Sequence, residues 1–425
     1  MSKPNALPSA VEVRLAGGSD SSGLHGSSCP SVRVRVANRE LRGAHVLVSD
    51  EHYKHALGVV RHLGRMGVNV SVVASSKDSL VCRSRYCKEV VLSLAANVDA
   101  LVAVTLEIVQ RQHFDLVMPI SFPLTLAIGR LRDLFPAHTA LELAASDAIE
   151  RAGNKVQMTQ LAEMIGLAAP KTFVPLSESD LTLRGGELRF PVVIKPKMES
   201  PGHAPVRYAK NAEELKHIFS ETWKTQGHPE TQGFLVQEYI PGYGCGFFAT
   251  YQRGECKRIF MHRRIREYPA SGGSSTCAES FYHHRLEEAG RKILDALHWH
   301  GVAMVEFRCD SRDGAFKLIE INPKFWGSLD LALAAGADFP GDLCRMALGQ
   351  TLSYTAEYNR NLRFHWPLSS SGELYHLWHR PRSFGSIVRD VFNPRVRSNV
   401  WLRDFGPHVV ELRSLRNTLF GRKQR

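Results

Sequence analysis

The stretch that decides the fold is residues 301–308, Gly-Val-Ala-Met-Val-Glu-Phe-Arg, followed by residues 316–324, Phe-Lys-Leu-Ile-Glu-Ile-Asn-Pro-Lys. Both runs are rich in β-branched and aromatic residues, and the dipeptide Asp313-Gly314 lies between them. Asp-Gly between two such runs is typical of a tight turn. The sequence therefore predicts a β-hairpin centred on residue 313.

Two glutamates of this hairpin are predicted to face one another. Glu306 and Glu320 are each seven residues from the centre, and Asn322 shares the face of Glu320 because side chains alternate along a strand. Like charges directly opposite each other destabilise a hairpin, so the arrangement favours a bound cation. Two carboxylates and an amide suit Mg²⁺, which also keeps waters and phosphate oxygens in its shell. The opposite face would carry apolar side chains: Val305, Phe307, Ile319 and Ile321.

A simpler interpretation of the hairpin is a solvated polar face. In that case the two glutamates would be ion-paired to Arg308 and Lys317, and no metal ion would be needed. The hairpin by itself leaves both interpretations open.

Three positions earlier in the chain favour a phosphate site. Lys195 ends a buried strand over residues 190–195, where one fixed ammonium could meet a phosphate. Lys155 begins a helix after residues 153–154 (Gly-Asn), where free backbone N–H groups attract an anion. Residues 234–242 form an apolar strand that turns at Pro-Gly, and its backbone edge could pair with a base. Each signal is weak alone, but their order along the chain, followed by the hairpin, is specific.

The rest of the chain divides by composition and by the spacing of its apolar residues. Residues 1–43 are rich in Ser, Gly and Pro, which predicts a disordered leader. Residues 44–140 alternate short apolar strands with helices, which predicts a parallel α/β domain, and no Gly-x-Gly-x-x-Gly follows its first strand. Residues 141–350 predict antiparallel strands with helices packed on them, an α+β arrangement. Residues 351–425 are left as a basic C-terminal extension.

The positive charge lies mainly at the two ends. The 425 residues carry a formal net charge of +12, of which residues 1–43 hold +3 and residues 380–425 hold +8, leaving +1 for the large middle. A basic chain invites a nucleic-acid interpretation, but the near-neutral middle does not support nucleic-acid binding by the core. The composition, 44% hydrophobic and 23% charged, excludes a disordered or coiled-coil chain, and no apolar run is long enough to cross a bilayer. The eight cysteines include no Cys-x-x-Cys pair and no signal segment is evident, so we expect a reduced, cytoplasmic protein.

The order of these residues resembles the ATP-grasp superfamily, and within it the predicted carboxylate-amine ligases that are similar to the synthetase domains of the carbamoyl phosphate synthase large subunit. The resemblance covers about residues 44–350 and is strongest over residues 318–340. It implies a fold in which two β-rich lobes clamp ATP, preceded by an α/β domain. It also implies site roles: Lys155 and Lys195 for the nucleotide phosphates, Gln237, Glu238 and Ile240 for the adenine, and Glu306, Glu320 and Asn322 for Mg²⁺.

The resemblance also implies a reaction. Because a carboxylate is a poor electrophile, the family transfers the γ-phosphoryl group of ATP to it, and an amine or similar nucleophile attacks the resulting acyl phosphate. We therefore expect small-molecule carboxylate and amine substrates. Within residues 262–276, Arg264 and Arg266 are predicted to share a strand face and to receive the carboxylate, although an RNA-contacting strand or a plain surface run is an alternative. Lys324 follows Asn322 on the same face, where related enzymes usually have arginine.

Two other classes of function stay open at this point. One is a nucleic-acid-binding protein that acts through its basic ends, with Trp401 and Phe405 stacking on bases. The other is an ATP-binding scaffold without turnover. Loss of salt-sensitive RNA retention on removal of residues 380–425 would favour the first, and nucleotide binding without ADP release would favour the second.

Overall fold

The structure is a computed structural model of the chain. It describes the following residues: 41–51, 53–185, 189–198, 206–226, 233–268, 273–368, 373 and 384–420. The leader predicted over residues 1–43 lies outside these residues except for its last three positions. Residues 269–272 of the predicted carboxylate-binding segment also lie outside the described residues.

The first part of the chain forms a parallel sheet covered by helices, as the sequence predicted. Its strands are β1 (His45–Ser49), β2 (Asn69–Ala74), β3 (Glu89–Leu92) and β4 (Leu116–Pro119). Its helices are α1 (Lys54–Arg65), α2 (Val98–Arg111) and α3 (Phe122–Arg130), followed by a 3₁₀ turn at Arg132–Leu134. The strand order is β3-β2-β1-β4 and all of these pairs are parallel, so each strand needs a crossover connection. The carboxyl end of β1 therefore leads directly into the start of α1.

The next part contains a small antiparallel sheet. Its strands are β5 (Thr172–Phe173), β6 (Val192–Pro196), β7 (Arg207–Ala209) and β8 (Phe234–Glu238), in the order β5-β8-β6-β7. The helices of this part are α4 (Ser146–Gly153), α5 (Lys155–Met164), α6 (Glu178–Gly185) and α7 (Ala212–Gln226). Asn154 separates α4 from α5 and caps α5, because its side chain accepts hydrogen bonds from the N–H groups of Val156 and Gln157.

A larger sheet follows and includes the predicted hairpin. Its strands are β9 (Gly242–Gln252), β10 (Glu255–Tyr268), β11 (Ser274–Ser280), β12 (Gly301–Asp310), β13 (Phe316–Asn322), β14 (Arg363–His365) and β15 (Val396–Ser398). The order is β13-β12-β9-β10-β11-β14-β15. The connecting helices are α8 (His284–Ala296), α9 (Leu329–Ala335) and α10 (Phe339–Ala347).

Alternation along β9 builds a core on both faces of the large sheet. Phe247 packs against α8 at Gly290, where a Cβ atom would lie 2.2 Å from the Phe247 ring. Phe248 points to the other face, and its ring centroid lies 4.5 Å from that of Trp326. Both phenylalanines are fully buried. Because successive side chains on a strand point to opposite faces, this adjacent pair packs α8 against one face of the sheet and the turn before α9 against the other.

The C-terminal part of the chain is folded onto the rest. Helix α11 (Phe384–Phe392), a 3₁₀ turn at Leu402–Asp404 and helix α12 (Gly406–Phe420) complete the described structure. Strand β14 pairs with β11, and β15 pairs with β14, so the large sheet continues past residue 350. Strands β14 and β15 lie in the part of the chain that the sequence analysis assigned to a basic C-terminal extension. Among the residues that the structure describes, no helix combines the length and apolar character needed to cross a bilayer.

A buried ion pair holds the C-terminal part to α1. The Nε of Arg61 donates to Asp404 at 2.7 Å, and both side chains are almost fully buried. Asp404 also accepts hydrogen bonds from the Ser84 hydroxyl and the Arg85 N–H, each at 2.8 Å. The guanidinium of Arg61 lies 4.9 Å from the ring centroid of Trp401. That ring is therefore already packed within the chain, which argues against the predicted stacking of Trp401 on a base.

Replacing Asp404 by alanine is expected to lower the free energy of unfolding by about 3–5 kcal/mol, because it leaves the buried Arg61 charge without its partner. Urea denaturation of both proteins measures this difference. The matched control is Glu107→Ala, since Glu107 forms an exposed ion pair with Arg111 at 2.6 Å. Such a surface pair contributes at most about 1 kcal/mol. Equal effects of the two substitutions would contradict the assigned docking of the C-terminal part.

Candidate active site

A cleft of about 760 Å³ lies between the small sheet and the large sheet. Its size falls within the range of about 300–1,000 Å³ that is usual for small-molecule sites. We call it the central cleft; its walls come from β6, β7, β8, β10, β12 and β13, from the start of α1 and from α12. The structure brings nearly all of the predicted site residues to it: Lys155, Lys195, Gln237, Glu238, Ile240, Arg264, Glu306, Glu320, Asn322 and Lys324.

The two hairpin glutamates lie opposite one another, as the sequence predicted. Strands β12 and β13 pair with Glu306 opposite Glu320, and both side chains line the central cleft. Asn322 follows on the same strand, and its amide donates to Glu320 at 3.2 Å. The predicted pairing of Glu306 with Glu320 is thereby confirmed.

A β-bulge next to Glu320 was not predicted. Glu306 pairs with Glu320 while Phe307 pairs with Leu318, so Ile319 is one residue in excess. Because a bulge reverses the facing of the inserted residue, Ile319 lines the central cleft instead of lying on the opposite face. The prediction for this side chain was wrong. The bulge adds an apolar surface beside the carboxylates.

Cations from other elements neutralise the paired glutamates. Arg264 on β10 donates to Glu306 at 2.5 Å, and the Nζ of Lys155 at the start of α5 lies 3.3 Å from Glu320. The simpler interpretation of the hairpin, with Arg308 and Lys317 as partners, is wrong. Arg308 donates to the carbonyls of Ile240 and Gly242, at 2.8 and 2.6 Å, and Lys317 pairs with Asp310 at 3.6 Å.

The surroundings shift the pKa values of these groups in opposite directions. Burial alone would raise the pKa of Glu320, but Lys155 and Lys195 outweigh it and lower the pKa to about 2. Burial raises the pKa of Glu306, although Arg264 opposes this effect. Burial lowers the pKa of Lys195 to about 8 against the attraction of Glu320. Glu320 is therefore ionised at neutral pH. Lys195 is a cation at neutral pH and loses its proton at about pH 8.

If Lys195 holds a nucleotide phosphate, as the sequence predicts, the pKa of Lys195 predicts that nucleotide binding weakens in alkaline solution. The ammonium must be protonated to attract a phosphate, so affinity is full well below pH 8, is about half at pH 8 and falls about tenfold per pH unit above it. Calorimetric titration of a non-hydrolysable ATP analogue with Mg²⁺ between pH 6.5 and 9.5 measures the profile. Lys195→Arg should remove the fall, because arginine keeps its charge throughout. An equal fall in both proteins would assign the titration to another group.

The predicted adenine-binding strand is β8 and the turn that follows it. The Gln237 amide donates to the Thr172 hydroxyl at 2.8 Å, and Glu238 accepts from Arg312 at 2.8 Å. The Ile240 carbonyl is bound by Arg308, as described above. Both Gln237 and Ile240 are buried, so their positions are fixed by the sheet itself. Tyr208 on β7 also lines the cleft near this strand and was not predicted.

Arg264 and Arg266 do not share a strand face. Residues on β10 and β11 pair as Arg264 with Ala278 and Arg266 with Cys277, so one extra residue lies between the arginines. The bulge places the two side chains on opposite faces. Arg264 lines the central cleft, whereas Arg266 forms ion pairs at 2.5 Å with Glu373 and Asp390.

Other lining residues were missed because they lie far from the predicted segments. Lys54 and His55 begin α1 at the carboxyl end of β1, the position where open α/β sheets bind ligands. Applied to the sequence, that rule could have predicted Lys54 and His55 as lining residues. Glu411 on α12 carries no signal in the sequence, since its place in the cleft depends on the docking of the C-terminal part. Lys324 is buried near the Tyr53 ring, 5.8 Å from its centroid.

Comparisons with known proteins agree with this architecture. Residues 230–367 match the model of a family described as ATP-grasp in the biosynthetic pathway with Ter operon. The chain is also similar to the D-aspartate ligase of Enterococcus faecium (strain Aus0004), with 25% identity over 192 residues. That match covers 41% of this chain and 44% of the relative, so the chain spans less than half the length of this curated relative.

Solved structures with the same fold cover most of the chain. The biotin carboxylase domain of 2-oxoglutarate carboxylase from Hydrogenobacter thermophilus is 17% identical, with a TM-score of 0.60 over 75% of this chain and 72% of that one. The L-amino acid ligase from Bacillus licheniformis is 17% identical, with a TM-score of 0.59 over 76% and 79%. The N5-carboxyaminoimidazole synthetase from Staphylococcus aureus is 14% identical, with a TM-score of 0.60 over 81% and 86%.

The chain has the ATP-grasp fold, with a parallel α/β domain in front of two β-rich lobes. The resemblance found in the sequence is thereby confirmed.

Proposed function

We propose that the chain is an ATP- and Mg²⁺-dependent ligase that activates a carboxylate as an acyl phosphate and joins it to an amine. One observation carries this proposal: the facing carboxylates of Glu306 and Glu320 share one cleft with the buried ammonium of Lys195. Paired carboxylates favour a divalent cation, and a cation beside a fixed ammonium favours a polyphosphate.

The two lysines are suited to hold nucleotide phosphates. Lys195 is buried near the end of β6, and Lys155 starts α5, where the helix dipole favours an anion. Both ammonium groups lie close enough to Glu320 to lower its pKa. A phosphate chain entering the cleft would take over part of this interaction, because it offers the lysines a second anion.

The donor set of the hairpin fits Mg²⁺. The candidate ligands are Glu306, Glu320 and the side-chain oxygen of Asn322, which all line the central cleft. Within the described residues, no group of three or more His, Cys, Asp and Glu side chains is placed to hold a metal ion, so a site here would depend on the amide oxygen as well. A hard ion that retains waters and phosphate oxygens needs only a few protein oxygens. When bound, the ion would neutralise charge on the transferring phosphoryl group.

The adenine would lie against β8 and its turn. Gln237, Glu238 and Ile240 line the central cleft, and Ile319 and Tyr208 add apolar surface to it. An apolar slot with a few fixed polar groups is typical of small-molecule sites. The bulge that turns Ile319 inward therefore supports the nucleotide assignment.

The proposed reaction has two steps. A carboxylate oxygen of the acid forms a bond to the γ-phosphorus, and the bond to the β-phosphate oxygen breaks to release ADP. The amine nitrogen then forms a bond to the acyl carbon, phosphate leaves with the electrons of the carbon–oxygen bond, and the amine loses a proton to solvent. Arg264 and Lys324 would bind the activated acid, since preorganised cations stabilise developing negative charge.

ADP release from ATP in the presence of paired acids and amines tests the function. We expect release only when both substrates are present, and loss of release in Glu306→Gln. The matched control is Glu255→Gln, because Glu255 is exposed and pairs only with Lys257 among the described residues. Nucleotide binding without ADP release over a broad panel would instead favour the scaffold interpretation.

A further inference from the structure

The outer face of the C-terminal helix α12 carries a row of exposed apolar side chains. Phe405, Val409 and Leu412 recur at three- and four-residue spacing, so they share one face of the helix. Leu402 lies in the 3₁₀ turn just before them. The exposed fractions are 84% for Leu402, 47% for Phe405, 37% for Val409 and 44% for Leu412. We call these four residues the α12 stripe.

The opposite face of α12 is packed onto the rest of the molecule. His408, Glu411 and Leu415 are buried there, again at three- and four-residue spacing. Val410 and Ser414 line the central cleft. A surface helix needs one packed face, with polar groups on the other. The α12 stripe is therefore not explained by packing within the described residues.

The surface of the C-terminal part carries charges of one sign. Over residues 384–417, six arginines are exposed: Arg389, Arg395, Arg397, Arg403, Arg413 and Arg416. The acidic residues of the same range are buried, and each is bonded to a partner inside the chain: Asp390 to Arg266, Asp404 to Arg61 and Glu411 to His408. Their negative charge does not reach the surface, so this part of the chain presents a positive face that suits an anionic partner.

Three of these arginines adjoin the α12 stripe itself. Arg403 follows Leu402 in the sequence, Arg413 follows Leu412, and Arg416 continues the stripe by one more turn of the helix. An apolar helix face with arginines along its border is typical of a helix that lies on a membrane surface without crossing the bilayer.

Two other partners fit this surface less well. Single-stranded RNA is held by stacking on exposed aromatic rings, but Phe405 is the one aromatic residue of the α12 stripe and Trp401 is packed against Arg61. A second copy of the chain in a two-fold dimer would present the same patch, so arginines would face arginines and repel.

We propose that the α12 stripe binds the surface of a membrane that contains anionic lipids. The four apolar side chains enter the boundary between headgroups and acyl chains, and the arginines beside them bind lipid phosphates. Because the other side of α12 forms a wall of the central cleft, this attachment holds the cleft about one helix diameter, roughly 10–12 Å, from the headgroups. The proposal goes beyond the proposed ligase function and does not depend on it.

The experiment measures binding of the full chain to vesicles, without nucleotide. Vesicles of phosphatidylcholine alone, or with about one third phosphatidylglycerol, are sedimented with the protein, and the bound fraction gives the partition coefficient. We expect a coefficient at least about 10-fold higher for the anionic vesicles, and a fall in this coefficient as salt is raised. Arg413→Gln combined with Arg416→Gln should lower the coefficient about 10-fold, and Leu402→Ser should lower it about threefold.

Matched substitutions elsewhere on the surface serve as controls. Arg253→Gln combined with Arg285→Gln removes the same number of exposed charges. Leu94→Ser removes a leucine that is 90% exposed, comparable with Leu402. These variants should keep the partition coefficient of the unchanged protein. Thermal unfolding of every variant shows whether the fold is retained, which is expected because all of the replaced side chains are exposed.

Several results would overturn the proposal. Equal binding to neutral and anionic vesicles, or equal losses in the stripe variants and their controls, would show that the α12 stripe does not bind anionic lipid. Retention of single-stranded RNA through Arg413 and Arg416, without vesicle binding, would assign the surface to nucleic acid. Self-association that is lost in Leu402→Ser, without vesicle binding, would assign it to a second copy of the chain.

Discussion

Glu320→Gln is expected to lower kcat by about 1,000-fold. The change removes one of two facing carboxylates, and the cation that they favour contributes several kcal/mol to stabilising transferred charge. It also removes the anion that raises the pKa of Lys195, so this lysine would lose its proton more easily. Steady-state ADP release at saturating ATP and Mg²⁺ measures the change.

Asp313→Asn is the matched control for this substitution. Asp313 lies at the tip of the same hairpin and is half-exposed, so the same chemical change there leaves the cleft intact. Its kcat should stay within twofold of the unchanged protein. If Glu320→Gln and Asp313→Asn behaved alike, the assignment of Glu320 to the metal site would be wrong.

Lys195→Met is expected to raise the KM for ATP by about 10- to 100-fold. A hydrogen bond to a charged group contributes about 1.5–3 kcal/mol, and this ammonium is buried next to Glu320, where water cannot replace it. Methionine keeps the length and apolar stem of the side chain, so the packing of β6 changes little. Initial rates as a function of ATP concentration give the KM.

Lys216→Met tests whether the loss of any positive charge from this lobe raises the KM for ATP. Lys216 is exposed on α7, in the same lobe as Lys195. Its loss should leave the KM for ATP unchanged. If Lys195→Met and Lys216→Met had the same KM for ATP, this result would contradict the phosphate-binding role of Lys195.

The hairpin shows why much of the site could be predicted. The turn at residues 313–314 and the alternation of strand side chains are local properties, so the sequence predicted the pairing of Glu306 with Glu320. The parallel α/β domain was predicted from equally local signals, because short apolar strands alternate with helices along the sequence. Local pattern therefore predicts the strands of the sheet. The pairing of Glu306 with Glu320 also needs the extra residue at Ile319, because the register of the pairs nearer the turn would otherwise place Ile319 opposite Glu306.

The bulges show where such prediction ends. An extra residue at Ile319, and another between Arg264 and Arg266, reverses the facing of every side chain beyond it. No residue type in either strand marks the insertion. For Arg266, the partners Glu373 and Asp390 come from more than 100 positions away.

Glu411 illustrates a second limit. Its place in the cleft depends on the Arg61 and Asp404 ion pair, which joins segments that are 343 residues apart. Composition placed this part of the chain in a basic extension, because charge counts do not show which surface an extension contacts. The C-terminal helix is instead part of the cleft wall.

The central claim is that the cleft activates a carboxylate by phosphorylation. The most direct measurement uses an acid substrate labelled with ¹⁸O in its carboxylate and follows the label by mass spectrometry of the released phosphate. Acyl phosphate formation transfers one carboxylate oxygen to phosphate, so we predict one ¹⁸O atom in the phosphate for each turnover. Turnover that yields ADP, the amide product and phosphate without ¹⁸O would contradict the account.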